Sequence, residues 1–279
     1  MSAAQGNPRI APTAHFTAQI WHRAGFANAA QFDTPVGRLG YRTWQGLRLP
    51  LGLMSPAATH LVDFLCLRHQ WLDQRLRALN PGLVFEVGAG LSGRGLTLAA
   101  ERPALCYIDI DLPAVVASKR ARLSKQICPP NYQLQALDLL DSEFAAQAMA
   151  LAAAARGPCV VITEGVCDYL DFDAKRLAWR HIAELLRVAG GGHYLLEMHP
   201  RSALRLFGPP AAAVLELLGW VTASDFRQRL YPTVEEGVAE LASCGFAEVE
   251  ILDPDTLDAG RFQVPPQGRF FDLLEARHS

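Results

Sequence analysis

The sequence predicts an α/β fold, a largely parallel and doubly wound sheet preceded by a helical cap. Three observations predict it. From Gly82 onward, short apolar and β-branched runs alternate with longer amphipathic ones, as parallel strands and crossover helices do. A glycine-rich turn, Gly88-Ala89-Gly90-Leu91-Ser92-Gly93, follows the first of those runs, where a strand hands over to a helix. Residues 1–80 contain no strand-like run with a partner nearby.

Strands are expected at 83–87, 104–110, 132–137, 159–163 and 193–198, with two further candidates at 246–252 and 269–277. Helices are expected between them, at 94–101, 113–126, 142–156, 173–189 and 233–243. Pro113 suits a first helical turn, Asp173 is a candidate cap, and Gly190-Gly191-Gly192 ends the helix before the fifth strand. The last strand carries alternating charge and no helix follows it, which suits an antiparallel strand at the sheet's edge. Two amphipathic helices, 13–30 and 56–79, flank a Gly- and Arg-containing stretch at 34–50 that reads as a wrapping loop. The expected organisation is a helical cap (1–80) on the sheet's carboxyl edge and a cofactor-binding core (81–279). An insertion at 201–231 would serve as a lid. A sheet of this class needs only a short link between its fifth and sixth strands.

The chain has 279 residues, half of them apolar and 19% charged, enough for one sizeable core. A net charge of −2 and a pI near 6.4 give no footprint of a nucleic-acid binder. Mean hydropathy is +0.10, yet the apolar runs are far shorter than the roughly 18 residues a spanning helix needs, so no membrane partner is expected. The opening residues have no apolar core behind a basic flank, and the six cysteines show no C-x-x-C pair and no histidine at ligand spacing. A reduced, cytoplasmic protein without a structural metal is the expectation.

The turn after the first strand matches G-x-G-x-x-G through Gly88, Gly90 and Gly93, with Asp109 and Asp111 about 20 residues on, as a dinucleotide site would have. A P-loop is excluded because Arg94 and Gly95 stand where Lys and Ser/Thr are required, and a G-x-S-x-G elbow because Arg94 replaces its last glycine. Glu86 stands two residues before Gly88, where a pyrophosphate gains nothing from a negative charge. Asp111, Asp138 and Glu164 follow the next three strands, at the edge where open α/β sheets bind ligands. Four carboxylates there suit a cationic, ribose-bearing ligand. For any one of them, Asp138 above all, a helix cap or a solvated loop acid is the plainer role.

These motifs resemble those of the class I S-adenosylmethionine-dependent methyltransferases, and within them the leucine carboxyl methyltransferase-like family, which includes polyketide O-methyltransferases. The resemblance runs from about Arg68 to Glu197. Its most specific piece is Thr163-Glu164-Gly165 with Tyr169-Leu170, similar to the family's TEG…YL core. Tyr107-Ile108-Asp109-Ile110-Asp111-Leu112-Pro113 is similar to its second-strand run, and Asp138-Leu139 to the Asp-Leu set against adenine. The resemblance implies a Rossmann-like, seven-stranded sheet whose last strand is antiparallel, and S-adenosylmethionine as cofactor. It implies that Gly88, Ala89 and Gly90 approach the methionine part and that Arg68 meets the cofactor carboxylate. Asp111, with Asp109 as rival, would accept the ribose hydroxyls, Asp138 and Leu139 would bracket the adenine, and Glu164 would lie near the transfer site. His69 and Asp73 read as ordinary helix-surface residues. Many members read G-x-G-x-D-T-R, from which Leu91-Ser92-Gly93-Arg94 departs.

The implied reaction is O-methylation of a small-molecule or peptide carboxylate, or of a hydroxyl. A carboxylate is already ionised at neutral pH, whereas an alcohol or phenol needs a base. Tyr169 and His199 are candidate substrate contacts, with Asp168 a further candidate base. Arg201 could pair with an anionic substrate, although a surface arginine is the commoner outcome. Two other classes stay open, a nicotinamide-dependent oxidoreductase using the same glycine turn and a cofactor-binding protein without catalysis. Phe207, Trp220, Phe226 and Tyr231 in the insertion would enclose an apolar substrate, or merely pack the insertion on the sheet.

Overall fold

A computed structural model describes residues 11–54, 59–152, 155–203, 226–262, 264 and 271–278. Seven strands form one sheet: β1 (Leu83–Val87), β2 (Cys106–Asp111), β3 (Tyr132–Ala136), β4 (Cys159–Thr163), β5 (Gly192–Met198), β6 (Glu248–Ile251) and β7 (Asp272–His278). Their order is β3-β2-β1-β4-β5-β7-β6, and β7 runs antiparallel to both neighbours. The antiparallel last strand is as expected, but its place at the edge is corrected. β7 lies inside the sheet, with a buried middle, and the mostly exposed β6 forms the edge. β1 and β4 are buried at every position, which is why both read as largely apolar runs, broken in β1 by Glu86 alone.

Helices cover both faces. α1 (Ala11–Ala24), α3 (Leu61–Leu79) and α4 (Arg94–Glu101) share one core with Val84, Tyr107, Val160, Ile162 and Leu195 of the sheet, joined from α5 (Pro113–Leu123) by Leu123. α6 (Phe144–Leu151), α7 (Phe172–Val188) and α8 (Val234–Ser243) share the other with Phe85, Ile108, Val161 and Leu196. Sequence order reverses between β1 and β4, and in open sheets the crevice at the carboxyl ends of such strands takes ligands. No helix of the described residues is long and apolar enough to cross a membrane.

The N-terminal region departs most from expectation. The stretch expected to wrap as a loop is instead α2 (Pro35–Met54), while the helix expected at 13–30 ends at Ala24 and is followed by a short 3₁₀ turn, Ala29–Phe32. Glycine gives α2 its packing surface: a Cβ on Gly37 would lie 2.4 Å from the His15 carbonyl oxygen, and one on Gly40 would lie 3.3 Å from the Phe16 ring. α3 lies against the sheet's face rather than over its carboxyl edge, with Phe64 and Trp71 on the ring of Phe271 beside β7. The cap of α7 is Asp171, which accepts from Ala174 N; Asp173 sits in the first turn. Both α5 and α6 end earlier than their sequence suggested. Most of the expected lid, with Phe207 and Trp220, lies outside the described residues. Tyr231 takes the plainer of its two roles, buried against Phe172 and Trp179.

Candidate cofactor and transfer site

β1 delivers the chain into its glycine turn with Gly88 at φ +71 and Gly90 at φ +52, left-handed conformations that favour glycine. Gly88 N and Ala89 N both donate to Ile110 O, at 2.8 and 3.2 Å, and so fasten the turn to the end of β2. Asp111 completes the join: Oδ2 accepts from Gly90 N at 2.6 Å and Oδ1 from Leu112 N at 2.7 Å. Each oxygen keeps acceptor capacity for a further donor. Burial pushes this carboxyl upward against the pull of the two backbone N–H groups. A Cβ on Gly88 would lie 2.3 Å from Val166 Cγ2, and one on Gly90 would lie 3.4 Å from Ala14 Cβ. The segment after β4 and helix α1 therefore close over the turn.

Behind the turn lies a buried ion-pair network centred on Arg94, at the first position of α4 and 2% exposed. Its guanidinium donates to Glu86 Oε1 at 2.6 Å, to Glu164 Oε2 at 2.7 Å, and to Asp73. Glu86 Oε2 accepts from the Tyr107 hydroxyl at 2.7 Å, and His69 Nδ1 lies 2.8 Å from Glu164 Oε2. Arg68 extends the network, with Nε on Glu164 Oε1 at 3.1 Å and Nη1 on Glu197 Oε1 at 3.4 Å. Burial alone would raise Glu164, yet His69, Arg94 and Arg68 together hold it well below the usual carboxylate range.

Two readings are corrected by this geometry. Glu86 and Glu164 are not free negative charges awaiting a cation, because arginines already neutralise them. His69 (3% exposed) and Asp73 are not surface residues, since both touch Arg94. The sequence held a signal for them. His69 and Asp73 stand four apart, on one face of α3, and Arg94 opens a helix beside the buried Glu86.

The remaining candidates separate into groups. Asp109 is fully buried and engaged by Lys119 Nζ at 2.6 Å and the Tyr132 hydroxyl at 2.5 Å, so it does not stand free beside Asp111. Asp138 accepts from Leu140 N at 3.0 Å, and Leu139 is buried in the core shared with α6 and α7. Arg201 is exposed and donates to Leu230 O. Tyr169 hydrogen-bonds Thr13 of α1, so α1 also touches the segment after β4. His199 is buried, its Nδ1 2.5 Å from Asp168 Oδ2. Ligand atoms of Asp168, Glu197 and His199 gather within 4.8 Å of one another, and Glu197 Oε2 has no hydrogen-bond partner among the described residues.

A sequence model described as leucine carboxyl methyltransferase matches residues 26–183. Among curated proteins, none matches the chain in sequence. Of solved structures, a DUF574 family protein from Streptomyces avermitilis superposes with a TM-score of 0.63 at 12% identity, over 96% of this chain and 97% of that one. An O-methyltransferase family protein from Burkholderia thailandensis superposes at 0.51 and 15% identity, over 99% and 74%. PigF, solved with SAH, superposes at 0.51 and 11% identity, over 96% and 68%. The shared property is the fold.

Proposed function

Because this chain belongs to the leucine carboxyl methyltransferase family, we propose that it moves the methyl group of S-adenosylmethionine onto an oxygen of a small-molecule or peptide acceptor. The observation that carries the proposal is the join of Asp111 to Gly90 N and Leu112 N. It holds a carboxylate with spare acceptor capacity at the carboxyl end of β2, beside a turn built on two left-handed glycines. Vicinal ribose hydroxyls are the donors such a carboxylate suits.

The rest of the chain fits the same ligand. Arg68 is a buried cation whose Nη2 has no hydrogen-bond partner among the described residues, and a Cβ on Gly165 would lie only 3.4 Å from it. A cofactor carboxylate is the complement of that group. Gly88, Ala89 and Gly90 would face the methionine part, with Asp138 and Leu139 near the adenine. Glu86 and Glu164 would act at one remove, by fixing Arg94 and Arg68. When bound, the cofactor supplies a methyl carried on a sulfonium. The protein's work is to align an acceptor oxygen with it and to exclude water. We assign residues 1–80 and the 201–231 insertion to closing the site, since Ala14 and Thr13 of α1 already reach Gly90 and Tyr169. The six free thiols fit a reducing compartment such as the cytoplasm.

Titration with S-adenosylhomocysteine and, separately, with NAD tests the proposal. Heat released by the first and none by the second is expected; the reverse result overturns it.

A further inference from the structure

The chain's charge is spread unevenly. Residues 1–62 hold five arginines and one acid, Asp33, and every other acid lies beyond them, although the whole chain carries a net −2. Three of those arginines, Arg38, Arg42 and Arg48, stand on α2, which has no acid of its own. Arg38 pairs with Asp33 at 2.8 Å. Arg42 and Arg48 are exposed and have no carboxylate partner among the described residues.

α2 is also apolar on two sides. Its inner side sets Gly37 and Gly40 against α1 and carries the buried Trp44. On its outer side Val36, Leu39, Leu47, Leu49 and Leu53 are exposed, Leu49 by 79% and Leu53 by 91%. At 3.6 residues per turn these five fall within an arc of roughly 160°, with Arg38 and Arg42 along one margin. Every residue from Gln45 to Pro50 is exposed, so this length of helix stands clear of the body. Leucines left so fully in water, side by side, mark an interaction surface.

We propose that the outer face of α2 lies on an anionic lipid surface. The leucines enter the boundary between headgroups and acyl chains, and the arginines, on long apolar stems, reach the headgroup phosphates. Charge and shape select this occupant. A second copy of the chain would make a two-fold contact that sets the face against itself, arginine toward arginine, with no acid on α2 to answer them. A groove in a partner protein takes a narrow row of anchors at i, i+3 or i+4, and i+7, whereas this arc is broad and bordered by cations. The cytoplasmic face of a membrane is negatively charged, and the acid-bearing remainder of the chain turns away from it. α2 lies along the surface and does not cross it.

Flotation of the full chain with vesicles tests this, read as the fraction of protein carried up with lipid. Vesicles of phosphatidylcholine and phosphatidylglycerol in equal parts are expected to carry it, and vesicles of phosphatidylcholine alone are not. Raising salt from about 0.1 to about 1 M shortens the screening length from roughly 10 to 3 Å and should release it. Arg42→Gln with Arg48→Gln should weaken partitioning about thirtyfold. Leu49→Ser with Leu53→Ser should weaken it by roughly ten- to hundredfold. All four side chains are exposed, so both double variants should keep the wild-type circular-dichroism melt, which separates lost binding from lost structure. No flotation, equal flotation with both kinds of vesicle, or variants that float like the wild type would each overturn the proposal. So would a solution dimer that Leu49→Ser with Leu53→Ser returns to monomer, since the face would then belong to a second copy.

Discussion

Arg94 joins Glu86 to Glu164, one oxygen of each lying within 2.7 Å of its guanidinium, and through them it couples β1 to the segment after β4. Counted from Gly88, Arg94 also stands where the family's G-x-G-x-D-T-R run has its arginine; only Ser92 and Gly93 depart from that run. Its role here is internal. It holds the walls of the crevice at fixed spacing.

Removing that cation strands the buried Glu86 and leaves Glu164 to Arg68 and His69. Arg94→Ala is expected to cost about 3–5 kcal/mol, as for loss of one partner from a buried pair. Arg94→Lys should recover little, because an ammonium cannot present a planar fork to three acids. Urea titrations of the three proteins measure both effects, and a loss within error of zero would contradict the buried network.

Asp111 and Asp109 should separate cleanly. Asp111→Ala is expected to weaken S-adenosylhomocysteine binding by about 1.5–3 kcal/mol, roughly ten- to hundredfold. Asp109→Ala leaves Lys119 buried without its partner, and so should lower stability instead. Calorimetric titration paired with thermal melts distinguishes them. Weakened binding from Asp109→Ala at unchanged stability would reverse the assignment.

Acid should unfold the protein through the network. Glu164 is held well below its ordinary value of 4.5 in the folded state, so between those values the unfolded chain binds the proton more readily. Its contribution is therefore complete above the unfolded value and is lost as pH falls through the folded one. Urea midpoints measured from pH 7 down to 3 should fall, and Glu164→Gln, already less stable at pH 7, should show a shallower decline.

The glycines of α2 make opposite forecasts. Gly37→Ala forces a methyl to within 2.4 Å of the His15 carbonyl and should part α1 from α2. Gly46→Ala meets nothing within 4 Å and should stabilise the helix by about 0.5–1 kcal/mol. Circular-dichroism melts of the two variants decide the matter; shifts of the same sign would mean that α2 does not pack on α1 through Gly37.

These glycines also explain what the sequence concealed. β1 and β4 were legible to the residue because strands buried on both faces are mostly apolar, Glu86 being the one charge in β1. α2 was not, since Gly37, Gly40, Gly46, Gly52 and Pro50 read as loop chemistry, and only contact with His15 and Phe16 shows why a helix uses small residues there. The glycine turn, Asp111 and Glu164 were legible as a set because acids recur after successive strands. Their charge state was not. Neutralisation of Glu86 and Glu164 depends on where α3 comes to rest, which the four-residue spacing of His69 and Asp73 does not specify. The Asp168–His199 pair was visible only as two separate candidates, because its members stand 31 positions apart in the chain.

Glu275, on β7, accepts from Arg75 of α3 at 2.5 Å and from Arg277 at 3.0 Å, and lies 2.9 Å from His193 Nδ1 on β5. The first of these pairs spans 200 residues of chain. Contacts of such separation must pay loop-closure entropy before they return any stability, so they form late on a folding route. Strands β1, β2 and β4 can associate before the junction exists; the seat of β7 between β5 and β6 cannot be secured by Arg75 until α3 has docked. The junction sets a kinetic checkpoint: the sheet's last interior strand is locked in only after the chain's early helices have found their places.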